Sequence, residues 1–151
     1  LKADKVPFTL HFAGKEETQD EYIPQFKSEL GESFIYHGVV FGKVKSDLLK
    51  QCDVFLLPSF YEGLPMSLLE TMSYGMVPVV TPVGSIPTVV SDNVNGLYVG
   101  LKKSDDIVST IHHLCKDKAL LNRLSSEAQN TIVSLFEDKV YIAKLNSWYN
   151  N

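Results

Sequence analysis

The sequence predicts an α/β fold: a Rossmann-like, doubly wound parallel sheet of about five strands with helices on both faces. Three observations predict it. Short apolar runs of strand length recur along the chain. Several are apolar throughout rather than alternating, as parallel strands buried on both faces are. Between them lie segments with apolar residues at helical spacing, and Gly, Pro or Asn marks the joints.

The elements follow in order. Phe8 to Gly14 is an apolar run ending in a glycine able to take a positive φ. Asp20 to Leu30 carries Tyr22, Ile23, Phe26 and Leu30 at helical spacing, with acidic residues early and Gly31 beyond its end. Phe34 to Val40 is a second strand, and a short helix runs from Val44 to Gln51. Val54 to Leu57 is a third strand, apolar throughout. Pro65 to Tyr74 is a helix, with Pro65 at its first position and Gly75 as its C-terminal cap. Val77 to Thr81 is a fourth strand, and Ile86 to Val90 a helical turn. Gly96 to Val99 is a short fifth strand after an Asn-Gly turn. Ser104 caps a helix over Asp105 to Cys115, with Ile107, Val108, Ile111 and Leu114 inward. Helices over about Lys118 to Ser134 and about Asp138 to Tyr149 complete the chain.

At 151 residues the chain is of single-domain size and needs no disulfide or metal to fold. A net charge of −4 argues against a nucleic-acid partner. Cys52 and Cys115 form no CxxC or Cys/His cluster, so they are expected to be buried thiols in a reducing compartment. No apolar run approaches the roughly 20 residues that span a bilayer, and the mixed charged and apolar first residues lead us to expect no signal peptide here. The first residue is Leu1 rather than Met, which leads us to expect a chain cut from something longer.

The chemistry concentrates in Leu57 to Glu70, where Glu62 and Glu70 flank a helix start with seven residues between them. Amides at Leu64, Met66 and Ser67 are expected to point out of the helix end and, with the helix dipole, to suit a phosphate. Were both glutamates helical, they would lie about 80° and about 12 Å apart, so they address different parts of one extended ligand. Carboxylates accept hydrogen bonds from vicinal hydroxyls. Hydroxyls, a phosphate and further hydroxyls describe a nucleotide sugar. Spacing alone favours a plainer account, in which Glu62 is a favourable N-terminal charge and Glu70 a solvated helix residue. Leu68, Leu69 and Met72 around Glu70 argue instead for a part-buried carboxylate that needs a partner.

The combination Pro-Ser-x-x-Glu-Gly-Leu-Pro over 58–65, then Glu70, Gly75-x-x-Pro-Val-Val and Asn95-Gly96 resembles the family 4 retaining glycosyltransferases of the GT-B fold. The likeness runs from about Phe8 to Cys115 and more loosely to the end. It implies a single donor-binding domain over 1–151, the C-terminal half of a two-domain enzyme whose N-terminal acceptor domain is absent. It implies that Glu62 contacts the donor sugar, that amides of Gly63, Leu64, Pro65–Met66 and Ser67 hold sugar and diphosphate, and that Glu70 takes the ribose hydroxyls. Gly38, Val39 and Val40 would meet the base through their backbone. The implied reaction transfers a hexose, with retention, from a UDP- or GDP-sugar to a polysaccharide, lipid-linked or other glycoconjugate acceptor. It uses no metal and no cofactor. The implied location is the cytoplasm or the inner face of the membrane, by peripheral association.

The chain departs from the family in three places. The family's Arg-x4-Lys pair is missing, Arg123 being the only arginine. Thr88 stands where the family often has Glu, and Lys15 where a second Gly is usual. Without the basic pair and the acceptor domain, this chain alone is expected to be inactive. Two other readings use the same scaffold: a nucleotide-sugar epimerase, and a non-catalytic binding module. His37 reads as a strand residue, His11 as a core or edge residue, and Ser59 lacks the Gly-x-Ser-x-Gly surroundings of a nucleophile. Trp148 and Tyr149 would dock the last helix.

Overall fold

The structure, a computed structural model, describes residues 1, 6–15 and 22–136. The helix expected over 138–149, with Trp148 and Tyr149, lies outside them. The chain divides into two compact units, residues 1–48 and 49–151. The α/β architecture is present, and each strand pairing is parallel. The described strands form a two-stranded sheet in the first unit and a three-stranded sheet in the second.

The first unit holds β1 (Leu10–Ala13), α1 (Tyr22–Leu30), a 3-10 turn (Gly31–Ser33) and β2 (Phe34–Gly38), with α2 (Gly42–Leu49) running to its end. Strand β1 pairs with β2, Leu10 opposite Phe34, and the register shifts so that Ala13 faces Gly38. Strand β2 is shorter than its apolar run because Gly38 turns to φ +62°, which leaves Val39 and Val40 in the loop. The Gly14 amide donates to the Gly38 carbonyl at 2.8 Å, and the Tyr36 hydroxyl to the Gly14 carbonyl at 3.1 Å. Phe26 of α1 stacks on the buried Phe34.

His11 and His37 are paired across β1 and β2, with Nδ1 of one 2.9 Å from Nε2 of the other and the rings stacked. Neither sequence position announces this, since the strands' register makes the pair. Burial, and then the neighbouring His37, lower the pKa of His11 from the usual 6.5.

In the second unit β4 (Val77–Val80) lies between β3 (Val54–Leu57) and β5 (Leu97–Tyr98). Side chains alternate across this sheet. Phe55, Leu57, Val80 and Tyr98 pack with Leu68, Leu69 and Met72 of α3 (Met66–Ser73) and with Ala128 and Ile132 of α5 (Lys118–Phe136). Val54, Val77, Val79, Leu97 and Val99 face the other way, against Leu114 of α4 (Ser104–Lys116) and Leu121 and Leu124 of α5. Helices therefore cover both faces of this sheet. Each fully buried Leu or Val stabilises it by about 2 kcal/mol.

Strand β4 is central yet carries Pro78, which has no amide proton to give a ladder. The amides of Val77 and Thr81 donate to Asp53 and Leu57 on the β3 side, while the Val80 carbonyl accepts from Val99 on the β5 side. Position 78 thus faces β5, whose pairing begins only at Leu97 opposite Val79. Proline sits there without removing a ladder bond. The space beside it is filled by Gly96, where a β-carbon would lie 2.6 Å from Pro78 Cγ and 2.8 Å from Val90 Cγ1.

Several local expectations change. The turn before β5 is present over residues 93–95, but its positive φ (+58°) falls on Asn93 rather than on Gly96, and Asn95 is buried. Asn95 Oδ1 accepts from the Ser91 amide, and Nδ2 donates to the Val89 carbonyl and Thr131 Oγ1. Ser104 is the first helical residue rather than the cap, and the neighbouring Asp106 carboxylate accepts from the Gly100 amide instead. Cys52 and Cys115 are free and half-buried rather than fully buried. Gly75 is the C-terminal cap foreseen for α3: its φ is +78°, its amide donates to Met72 and that of Met76 to Thr71. No helix among the described residues is long and apolar enough to cross a membrane.

Gly96→Ala forces the new methyl against a proline ring and the Pro78 backbone, and should destabilise the protein by about 2 kcal/mol in denaturant unfolding. For His11, a lowered folded pKa means that the unfolded chain binds the proton more readily. The stability this confers is present above about pH 6.5 and is lost as pH falls through the lowered folded value. Melting temperatures taken from about pH 7 to about pH 5 should therefore fall more steeply in wild type than in His11→Gln. Equal slopes would refute it.

Candidate functional site

The C-terminal ends of β3, β4 and β5 share one edge of the sheet, because all three strands are parallel. In sheets of this kind ligands bind beyond that edge. Residues 58–65 leave it from β3, 81–85 from β4 and 99–103 from β5.

The 58–65 loop carries Glu62 into the start of α3. Pro65 is the N-cap of that helix, with φ −70° and ψ 124°, and not its first helical residue as its sequence position suggested. The difference has a use. An N-cap residue contributes a carbonyl, and that of Pro65 accepts from the Leu68 amide at 3.0 Å and the Leu69 amide at 3.5 Å. The amides of Met66 and Ser67 then precede the intrahelical ladder and point along the axis, away from the helix. Both residues are exposed. Leu68, Leu69, Thr71 and Met72 bury the opposite face of the helix and fix its direction.

Glu62 is half-buried, and its Oε1 accepts from the Ser59 hydroxyl at 2.6 Å. Ser59 thus orients a carboxylate rather than acting as a nucleophile. Sequence reasoning missed that role; the three-residue spacing before a glutamate in a turn was its available signal. Glu70 is half-buried on α3, in keeping with the apolar residues around it. Gly63 and Leu64 are exposed beside Glu62. Gly38, Val39 and Val40 belong to the first unit, where Val39 is exposed.

The other two loops close on the first. Ser85 donates its amide to the Gly63 carbonyl at 3.0 Å, and the Thr81 hydroxyl donates to the Ser59 carbonyl. Thr88, in the place of the expected glutamate, turns its hydroxyl to the Ser85 carbonyl at 2.7 Å. Lys102, at φ +59°, carries its ammonium 5.6 Å from the Phe60 ring centroid. Arg123 is occupied on α5, donating to the carbonyls of Asn93 and Val94.

A half-buried, oriented carboxylate, two open amides at a helix end and a second carboxylate about one turn on can hold hydroxyls and an anion together. The sequence profile of the family described as Glycosyl transferases group 1 matches residues 1–131. The chain belongs to this family. Among its relatives is the Escherichia coli UDP-Gal:alpha-D-GlcNAc-diphosphoundecaprenol alpha-1,3-galactosyltransferase, 30% identical over 103 residues, covering 68% of this chain and 26% of that protein. The chain therefore spans about a quarter of that relative's length.

Solved structures agree on the fold. HepE from Anabaena, in complex with UDP, superposes with a TM-score of 0.76 at 19% identity, over 93% of this chain and 41% of HepE. The C-terminal domain of a group 1 glycosyl transferase, LpcC from Francisella tularensis, superposes with a TM-score of 0.66 at 18% identity, over 90% of each chain. The fold is of the GT-B kind.

Proposed function

We propose that this group 1 chain is the donor-binding half of a retaining hexosyltransferase that works with an acceptor-binding domain. In this reading Glu62 accepts hydrogen bonds from hydroxyls of the donor sugar. The amides from Gly63 to Ser67, chiefly those of Met66 and Ser67, hold the diphosphate. Glu70 accepts from the ribose hydroxyls. The acceptor hydroxyl attacks the anomeric carbon on the face from which the diphosphate leaves. The bond from that carbon to the phosphate oxygen breaks, and the acceptor's proton passes to the departing phosphate. Open amides on a helix dipole stabilise the charge that develops there, and they need no metal to do so.

The observation that carries the reading is the placement of two half-buried carboxylates on either side of the open start of α3, the first oriented by Ser59. Support for the donor class comes from HepE, whose structure holds UDP. Support for a lipid-linked acceptor comes from the E. coli relative, named for a diphosphoundecaprenol acceptor. LpcC supports the domain assignment, because its C-terminal domain stands alone at this length. An acceptor of that kind puts the enzyme at the membrane face where nucleotide sugars are available.

The two carboxylates separate in the enzyme that carries both halves. Glu62→Ala should lower kcat for sugar transfer about 100-fold, as the loss of two charge-assisted hydrogen bonds in the transition state would, with affinity for the nucleotide diphosphate nearly intact. Glu70→Ala should raise the Kd for UDP or GDP about 10-fold by calorimetry. Full activity in the first variant would remove Glu62 from the sugar, and unchanged binding in the second would remove Glu70 from the ribose.

A further inference from the structure

We propose that Thr81 and Gly84, on the loop after β4, are positioning residues that set where the Glu62 carboxylate stands. The inference rests on the reading of Glu62 as the sugar-contacting group.

Three contacts join this loop to the one bearing Glu62. The Thr81 side chain, 1% exposed, donates to the Ser59 carbonyl, and Ser59 in turn donates to Glu62 Oε1. The Ser85 amide donates to the Gly63 carbonyl. Between them Gly84 passes directly against the Glu62 backbone. A β-carbon at 84 would lie 1.8 Å from the Glu62 carbonyl oxygen, 2.8 Å from its carbonyl carbon and 3.2 Å from the Gly63 oxygen. The φ of Gly84 is +56°, in the region that favours glycine. The clash would be with backbone atoms, so no side-chain rotation relieves it.

Which loop would yield is decided by burial. The β4 loop springs from a strand whose every residue is buried, and its first residue is held to the sheet by the Thr81 amide on the Leu57 carbonyl at 3.3 Å. The Glu62 loop is exposed at its tip, Phe60 at 65% and Tyr61 at 85%. Added bulk at 84 therefore displaces Glu62 and leaves β4 in place. The start of α3 is held independently, through Leu68, Leu69 and Met72, so the amides and Glu70 stay where they are.

The test is made in the enzyme that carries both halves, with UDP and GDP as separate probes. Gly84→Ala should lower kcat for sugar transfer about 100-fold, as a displacement near 1 Å does, while the Kd of the nucleotide that binds wild type stays within about twofold. Thr81→Val should lower kcat about 10-fold, and Thr81→Ser, which keeps the hydroxyl, should recover most of it. Combining Gly84→Ala with Glu62→Ala should cost no more than Glu62→Ala alone, because residues acting through one group are not additive.

Three results would overturn the proposal: wild-type kcat in Gly84→Ala, nucleotide affinity falling in step with kcat, or Thr81→Ser failing as badly as Thr81→Val. If Glu62→Ala itself keeps full activity, the reading of Glu62 falls. If Glu62→Ala loses activity and Gly84→Ala does not, only the positioning role falls.

Discussion

Burial of β4 on both faces is the constraint on which the second unit depends. Val77, Val79 and Val80 are wholly removed from solvent. A strand so placed must pair its backbone with neighbours on each side, because water cannot reach it. It does so with β3 through Val77 and Thr81, and with β5 through Val80. The same burial demands cover above and below, which α3, α4 and α5 supply. Even the proline in this strand is admitted only at the residue whose missing donor faces no ladder partner.

That buried strand also organises the polar edge. Its last buried contact is Thr81, and from there the chain enters a loop that meets the backbone of residues 59, 62 and 63. The 58–65 loop is exposed at Phe60 and Tyr61 and has little core of its own. Its order comes from hydrogen bonds and from one close backbone approach. The Glu62 carboxylate is thereby tied to the most deeply buried strand of the sheet.

Much of this was legible in the residues. The apolar runs located every strand, and the Gly75 cap of α3 was readable because αL caps have a local cause. Glu62 and Glu70 stood out from their spacing about a helix start. The motif as a whole, however, mixed two kinds of residue. Pro78, Asn95 and Gly96 lent it specificity, yet they serve packing: a ring beside a missing side chain, and a buried amide bracketing a turn. Sequence spacing does not distinguish such residues from ligand contacts, since it gives residue types and not what they touch. Ser59 shows the opposite miss. Its surroundings do not make it a nucleophile, and its hydroxyl orients Glu62 instead.

Local chemistry and apolar pattern by themselves determined the α/β class, the strand positions, the helix that starts near Pro65 and the pair of glutamates around it. Those depend on neighbours along the chain, and the chain records them directly. Tertiary structure alone decided the His11–His37 pair, the placing of Pro78 against Gly96, and the contact of Gly84 with the Glu62 backbone. Each joins residues at least eighteen positions apart, brought together by strand register or by the meeting of two loops. No local preference encodes such a meeting. So the sequence named the carboxylates of the candidate site, and the packing of one buried strand against two loops decided where the first of them points.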